Sequence, residues 1–271
     1  MLTGLHSTNN YAQERYDFLK GVEGRELRVY RDSIGIPTIG VGINLQESAN
    51  LNAVLQQLGF DLNGTQLSGN AWTAEQYYIQ QIRSAVGNTY ADNNAVQTAL
   101  DTIMRNRAAD SRYSASFNRR TIFQFDNETE SKNAFDAIIP RYEDRVNSKL
   151  GYTMAESKER AALVSLSYNT KTGATDLLGP KLIAAITNDN RAEAWFEIRY
   201  NSNKNGIHAN RRYKESDLFD LFDDGPLAVE GTKEVFRMYT KHQSEINAYE
   251  SAYPSPSSSA IALYTQLMRL S

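Results

Sequence analysis

The amino-acid sequence predicts an α+β protein that is mainly α-helical. Three observations carry that expectation. Apolar residues recur at helical spacing over most of the 271 residues. One stretch near the start, Leu27 to Asn44, is instead β-branched, glycine-rich and interrupted by Pro37. Hydrophobic residues make up 41% of the chain and charged residues 23%, globular proportions that supply a sizeable core. At this length one large or two modest domains are expected.

Taken in order, residues 9–23 form a helix, with Tyr11, Phe18, Leu19 and Val22 close to a 3.6 period and Gly24 at its end. Leu27 and Val29 then alternate with polar residues and DSIG supplies a turn, which makes a short antiparallel ribbon. Its glycines and proline make a long helix untenable there. Residues 47–58 form a helix, and FDLNGTQLSGN is a loop. Thr73 with Gln76 reads as a capping box opening a helix that runs to about Val86. Helices are expected at 92–108, 128–149 and 155–168. The last carries Ala161, Leu163, Val164 and Leu166, so apolar a set that it belongs in the middle of a core. Further helices are expected at 176–187, 190–200, 212–222 and 229–250. PSPSSS at 254–259 is a linker, with one short helix behind it.

Composition excludes several kinds of chemistry. With no cysteine there is no disulfide framework, thiolate nucleophile or cysteine-bound metal. The three histidines, His6, His208 and His242, are too scattered for a histidine-rich metal site. Carboxylates remain for demanding chemistry. No run approaches the roughly eighteen apolar residues of a membrane helix, and the opening residues lack the pattern of a secretory signal. Net charge is -3, which argues against DNA binding driven by overall charge. Residues 198–214 nevertheless hold Arg199, Lys204, Arg211, Arg212 and Lys214 with no acid, which predicts a local positive surface or a solvated helix face. Sixteen tyrosines are many; Tyr77, Tyr78, Tyr113, Tyr142, Tyr200 and Tyr213 either pack helices or line a groove. The glycines of TIGVG do not follow the spacing of a phosphate-binding loop.

The ribbon carries the chemistry. Glu23 ends the first helix, Asp32 lies in the first turn of the ribbon and Thr38 begins its next strand, with gaps of eight and five residues. A hairpin folding back beside the helix end brings these groups around one cleft. Two carboxyls in a cleft suit glycosidic bond cleavage. One must stay protonated to donate to the leaving oxygen, through burial or a nearby negative charge. The other must be ionised, as nucleophile or to activate water. A threonine hydroxyl beside it can hold that water, since it both donates and accepts. Read as plain structure, the same residues are a helix-end glutamate, a turn-forming aspartate and a strand threonine.

The stretch EGRELRVYRDSIGIPTIGVG from Glu23 to Gly42 resembles the phage lysozyme family typified by the enzyme of phage T4. So do RAALVSLSYNT at 160–170, like that family's central buried helix, and NRRYKESDLF at 210–219, like its Asn-Arg pair near the cleft. TIGVGINL with EIRYNSNKNGIHANRR is similar to lysozyme domains of pesticin-like bacteriocins and of secreted effectors. The resemblance spans roughly 15–225 in the same order, with insertions around 105–150. It implies a two-lobed lysozyme-like domain over 1–225, with a small ribbon lobe at about 24–75 and a helical lobe from 1–23 and 76–225. Residues 226–271 are then accessory helices packed on the same domain. It implies hydrolysis of the β-1,4 bond between N-acetylmuramic acid and N-acetylglucosamine, without metal or cofactor. Glu23 matches the general acid, Asp32 the carboxylate that activates water or stabilises positive charge, and Thr38 the residue that helps place the water. Family members of this kind are inverting, which implies carboxyls about 6.5–9.5 Å apart. Tyr168 and Asn169 match an aromatic and an amide lining the sugar groove. Asn210 precedes Arg211, which matches an arginine approaching the acid. One departure is Ile43, where the phage enzymes usually carry histidine.

The resemblance further implies a monomer acting on peptidoglycan strands in the periplasm. It would be made in the cytoplasm without a signal peptide and delivered as a phage endolysin or an antibacterial toxin, the latter with an immunity protein. The alternative is a non-catalytic module that binds peptidoglycan or a partner on the same fold. A nucleic-acid binder using 198–214 is the weaker rival, given the acidic total.

Overall fold

The computed structural model describes residues 1–170, 176–202, 205–223 and 229–255. Helices dominate these residues, and one small antiparallel sheet accompanies them, so the chain is α+β and mainly α. It divides into two compact units. One comprises 18–140, the other 1–17 with 141–271. The boundaries fall inside the first helix and at Pro140/Arg141, whereas the sequence reading divides the chain near residues 23/24 and 75/76.

In the 18–140 unit, the end of helix α1 (Tyr11–Glu23) leads into β1 (Glu26–Arg31), β2 (Pro37–Gly40) and β3 (Ile43–Asn44). The strands pair antiparallel in that order, Tyr30 opposite Thr38 and Thr38 opposite Asn44. The pairing is irregular between Glu26 and Tyr30. Helices α2 (Ser48–Gln57), α3 (Gly69–Val86), α4 (Asn93–Ala109) and α5 (Glu128–Ile138) complete the unit, α4 packing on β1 and α2 on α5. Ile39, Ile43, Leu45, Val54, Ile82, Leu100, Phe123 and Phe135 are fully buried between them. Thus Ile43, the position at which the sequence departs from the phage lysozyme pattern, is a core residue.

A buried ion pair anchors the back of this unit. Arg107 donates from Nε and Nη2 to the two oxygens of Glu75, both at 2.7 Å. Neither side chain is exposed. The Tyr113 hydroxyl and the Asp61 amide add bonds of 2.7 and 2.9 Å to the same carboxylate. Asp61 in turn accepts the backbone amides of Asn63, Thr65, Gln66 and Leu67, folding the expected loop into a fixed turn. These donors hold the Asp61 carboxyl below its ordinary pKa, against the opposing effect of burial.

That turn explains one correction. The chain enters α3 at Gly69 behind Ser68, a turn before the expected capping box. Thr73 is already inside the helix, where its hydroxyl donates back to the Gly69 carbonyl. A second correction is the helix expected at 128–149, which is two helices, α5 and α6 (Pro140–Leu150). Pro140 has no amide hydrogen to continue the ladder and starts the new helix instead.

In the other unit, α7 (Lys158–Asn169) is buried on all sides from Glu159 to Ser167, as its apolar run requires. Burying Leu163, Val164 and Leu166 contributes about 1.5–3 kcal/mol each. Ser157 caps it, accepting from the Arg160 amide at 3.1 Å. The unit continues through α8 (Pro180–Thr187), α9 (Arg191–Phe196), a π turn (Glu197–Asn201), α10 (Ala209–Phe219) and α11 (Val229–Ala252). The helix expected at 190–200 therefore changes to π geometry in its second half, with the Ser202 amide bonded to Glu197 O. Helix α11 packs on α9, and Tyr200 donates to Glu250 at 2.7 Å. Most of the 254–259 linker and the short helix expected after it lie outside the described residues.

Candidate functional site

Glu23 is the last residue of α1, and the chain leaves the helix through Gly24 at φ +77. Its half-buried side chain reaches the β2–β3 turn, because a Cβ built on Gly42 would sit 3.1 Å from Glu23 Oε2. Gly42 also has φ +69. A glycine is required there twice over, by backbone conformation and by the carboxyl beside it.

Asp32 organises the turn between β1 and β2. Its Oδ1 accepts the Ile34 and Ile36 amides, each at 2.9 Å, and the Asp32 amide donates to Ile36 O at 2.9 Å. The plain turn-former reading is therefore correct for Oδ1. It leaves Oδ2 with no hydrogen-bond donor among the described residues. Thr38 is buried, and its hydroxyl donates to Ile36 O at 3.0 Å. With that proton committed, the Thr38 oxygen is an acceptor toward anything else it meets.

The residue linking these groups is Tyr30. It stands directly across the ribbon from Thr38, so the two side chains share a face about 4.5–5.5 Å apart at Cβ. Burial, then the negative charges of Glu23, Asp32 and Glu26, push its hydroxyl up to about 12. One phenol thus feels both candidate carboxylates. Glu23 and Tyr30 line a cavity of about 470 Å³ together with Glu26, Arg28, Asn93, Asn94 and Gln97. Asp32 and Thr38 are not among its lining residues.

The cavity wall on the α4 side is built by amides. Gln97 Oε1 accepts the Val29 amide at 2.9 Å and Asn93 Oδ1 accepts the Arg31 amide at 2.8 Å. These alternate amides lie on the edge of β1 away from β2, which Gln124 bridges at Arg28 and the Phe125 amide joins at Leu27 O, 2.9 Å, and side chains one helical turn apart on α4 match their spacing. They cover an edge that would otherwise invite another strand. Tyr30, Asn93 and Asn94 were absent from the sequence-derived site. Period-two alternation from Asp32 points to Tyr30, but nothing local ties residues 93 and 94 to residue 23.

The remaining candidates belong to the other unit. Tyr168 and Asn169 end α7, both half-buried, with the Tyr168 ring 4.8 Å from that of Tyr142. The Asn169 Oδ1 accepts from Arg212. Asn210 is exposed at the start of α10. Arg211 donates from Nε to Glu215 at 2.9 Å and from Nη2 to Ser165 Oγ at 3.1 Å and Ser165 O at 3.2 Å.

The positive surface expected over 198–214 does not form as read. Arg199 and Arg212 are fully buried. Arg199 bonds Ser216 and Asp217, both at 2.8 Å, and Arg212 pairs with Glu215. Lys214 is exposed, and Lys204 lies outside the described residues. The cations neutralise acids that follow them in the sequence, and tertiary packing then buries the pairs. Of the tyrosines, Tyr78, Tyr113, Tyr200 and Tyr213 are buried, whereas Tyr77 is 53% exposed.

Comparison with protein families, curated proteins and solved structures finds no match.

Proposed function

We propose that the protein is a peptidoglycan hydrolase of the muramidase type with a lysozyme-like fold, acting on the β-1,4 bond between N-acetylmuramic acid and N-acetylglucosamine. The observation that carries this reading is the Tyr30 phenol. It lies in the field of both Glu23 and Asp32 and opposite Thr38, which supports one cluster built from the three spaced residues.

In this reading Glu23 gives its proton to the glycosidic oxygen as the bond to the anomeric carbon breaks. A water attacks that carbon from the other face and passes a proton to Asp32 Oδ2. Thr38, whose own proton is held by Ile36 O, accepts the water's second hydrogen and turns a lone pair toward the carbon. Solvent then returns the proton from Asp32 to Glu23. The outcome is inversion at the anomeric carbon. Tyr168, Asn169, Asn210 and Arg211 are proposed sugar contacts. The wall is the partner and the periplasm the place of action, as for an endolysin or an antibacterial effector.

The test is clearing of permeabilised Gram-negative walls, with mass analysis of the fragments. The parent protein should clear them and release fragments with a muramic acid reducing end, and Glu23→Gln should not. A folded parent protein that binds walls without clearing them would establish the non-catalytic alternative.

A further inference from the structure

Helix α11 borders a cavity of about 340 Å³ that the proposed catalysis does not use. Glu245, Ala248, Tyr249, Ala252 and Tyr253 follow one another at helical spacing along one side of it, and Tyr200 and Asn201 of the π turn complete the lining. Three rings make its walls. The Tyr200 and Tyr249 centroids are 5.4 Å apart with their planes at 81°, and those of Tyr249 and Tyr253 are 5.0 Å apart at 58°. The rings therefore enclose a corner instead of stacking, and the two alanines are too small to fill it. Each wall is fixed by what lies behind it. The Tyr200 hydroxyl donates to Glu250 at 2.7 Å, and Tyr249 is buried. The Tyr253 ring lies so close on Gly206 that a Cβ there would overlap it, while the Tyr253 carbonyl accepts from the Tyr213 hydroxyl.

We propose that this cavity binds the alkylated ammonium group of a small organic cation, held among the rings of Tyr200, Tyr249 and Tyr253 with Glu245 as its counter-charge. The inference is independent of the hydrolase reading. The face of an aromatic ring carries negative potential and attracts a cation, most strongly where water is excluded. The rest of the lining is electron-rich as well. Asn201 commits its amide nitrogen to Glu197 Oε1 at 2.9 Å, which leaves the carbonyl end of that amide for a ligand. None of the described lining residues is a lysine, arginine or histidine. The same aromatic cluster already holds one cation. The Arg199 guanidinium packs 4.4 Å from the Tyr213 centroid and 5.9 Å from that of Tyr200, and Asp217 answers its charge at 2.8 Å. A primary ammonium has three donors to satisfy, and Glu245 and Asn201 are few acceptors for it. An alkylated ammonium has no such demand and gains from contact with rings and alanine methyls. Glu245 repels an anion and adds nothing for a neutral solute.

The test is calorimetric titration of the full chain with choline and with 3,3-dimethylbutanol, which has the same shape and no charge. Choline should bind, and the neutral isostere roughly tenfold or more weakly. Tyr253→Phe keeps the ring and should bind choline like the parent, whereas Tyr253→Leu should weaken it roughly tenfold. Glu245→Gln should weaken choline several-fold and leave the isostere unchanged. The Glu245 side chain is 65% exposed and meets only the His242 ring, at 3.8 Å, among its printed partners' ion pairs, so this variant should melt like the parent and separates binding from folding. Phosphatidylcholine vesicles distinguish the source of the cation. Sedimentation of the protein with vesicles, reversed by free choline, identifies a lipid headgroup; choline binding without sedimentation identifies a free solute. No binding of choline by the folded parent overturns the proposal, as does equal binding of choline and its isostere, or binding by Glu245→Gln and Tyr253→Leu equal to the parent's.

Discussion

Replacing Gly42 by alanine tests whether the Glu23 carboxyl is held by the turn it touches. The new Cβ would meet Glu23 Oε2 at 3.1 Å, Cδ at 3.2 Å and Cγ at 3.3 Å, closer than ordinary carbon contacts. A non-glycine residue at φ +69 also costs about 1–2 kcal/mol in the left-handed region. Gly59 supplies the control. It lies in the same unit with φ +79, and a Cβ there meets nothing closer than the Asn118 carbonyl at 4.0 Å. Both substitutions should therefore lower unfolding free energy by about 1–2 kcal/mol. Only Gly42→Ala should also displace the carboxyl. On the proposed hydrolase reading, misplacing the Glu23 carboxyl by a fraction of an ångström should cost at least about tenfold in rate. Urea unfolding followed by circular dichroism measures the first effect, and the initial rate of wall clearing measures the second. Equal clearing rates for the two variants, at equal stability, would refute the idea that the turn positions Glu23.

Other expectations concern the frame around the site. Glu75→Ala leaves Arg107 charged and fully buried without its partner, and should cost about 3–5 kcal/mol in urea unfolding. Glu75→Leu with Arg107→Met should recover only part of that loss, because the Tyr113 hydroxyl and the Asp61 amide stay without their acceptor. Tyr30 should deprotonate late. Its folded value is near 12 against an unfolded value near 10, so its contribution to stability is complete below pH 10 and lost as pH rises to about 12. Tyr30→Phe should remove that part of the alkaline loss and one late phenolate transition in ultraviolet titration. Asp61 has the opposite sign. Its pKa is lowered by four backbone amides, so the stability it contributes is present above an unfolded value of about 4 and is lost as pH falls. Asp61→Asn should flatten the acid limb of the stability curve, and an unchanged limb would contradict this account.

The sequence by itself determined the class of fold, the position of the ribbon and the burial of α7. These were legible because their physics is local. Glycines and Pro37 forbid helix over a short span, and an unbroken apolar run demands a core. Where a stronger local rule competed, the reading slipped. Pro140 split a helix whose apolar period ran straight through it, and Asp61 fixed the entry to α3 ahead of Thr73. Tertiary structure alone decided the rest. The arginines of 198–214 look like surface when counted along the chain, but Glu215 and Asp217 face them once α10 packs, and burial then makes those pairs obligatory. Asn93 and Gln97 came to the edge of β1 across more than sixty residues. Their role depends on which backbone amides the sheet leaves unpaired. No periodicity within α4 carries that information, because a strand edge exists only after the strands have paired.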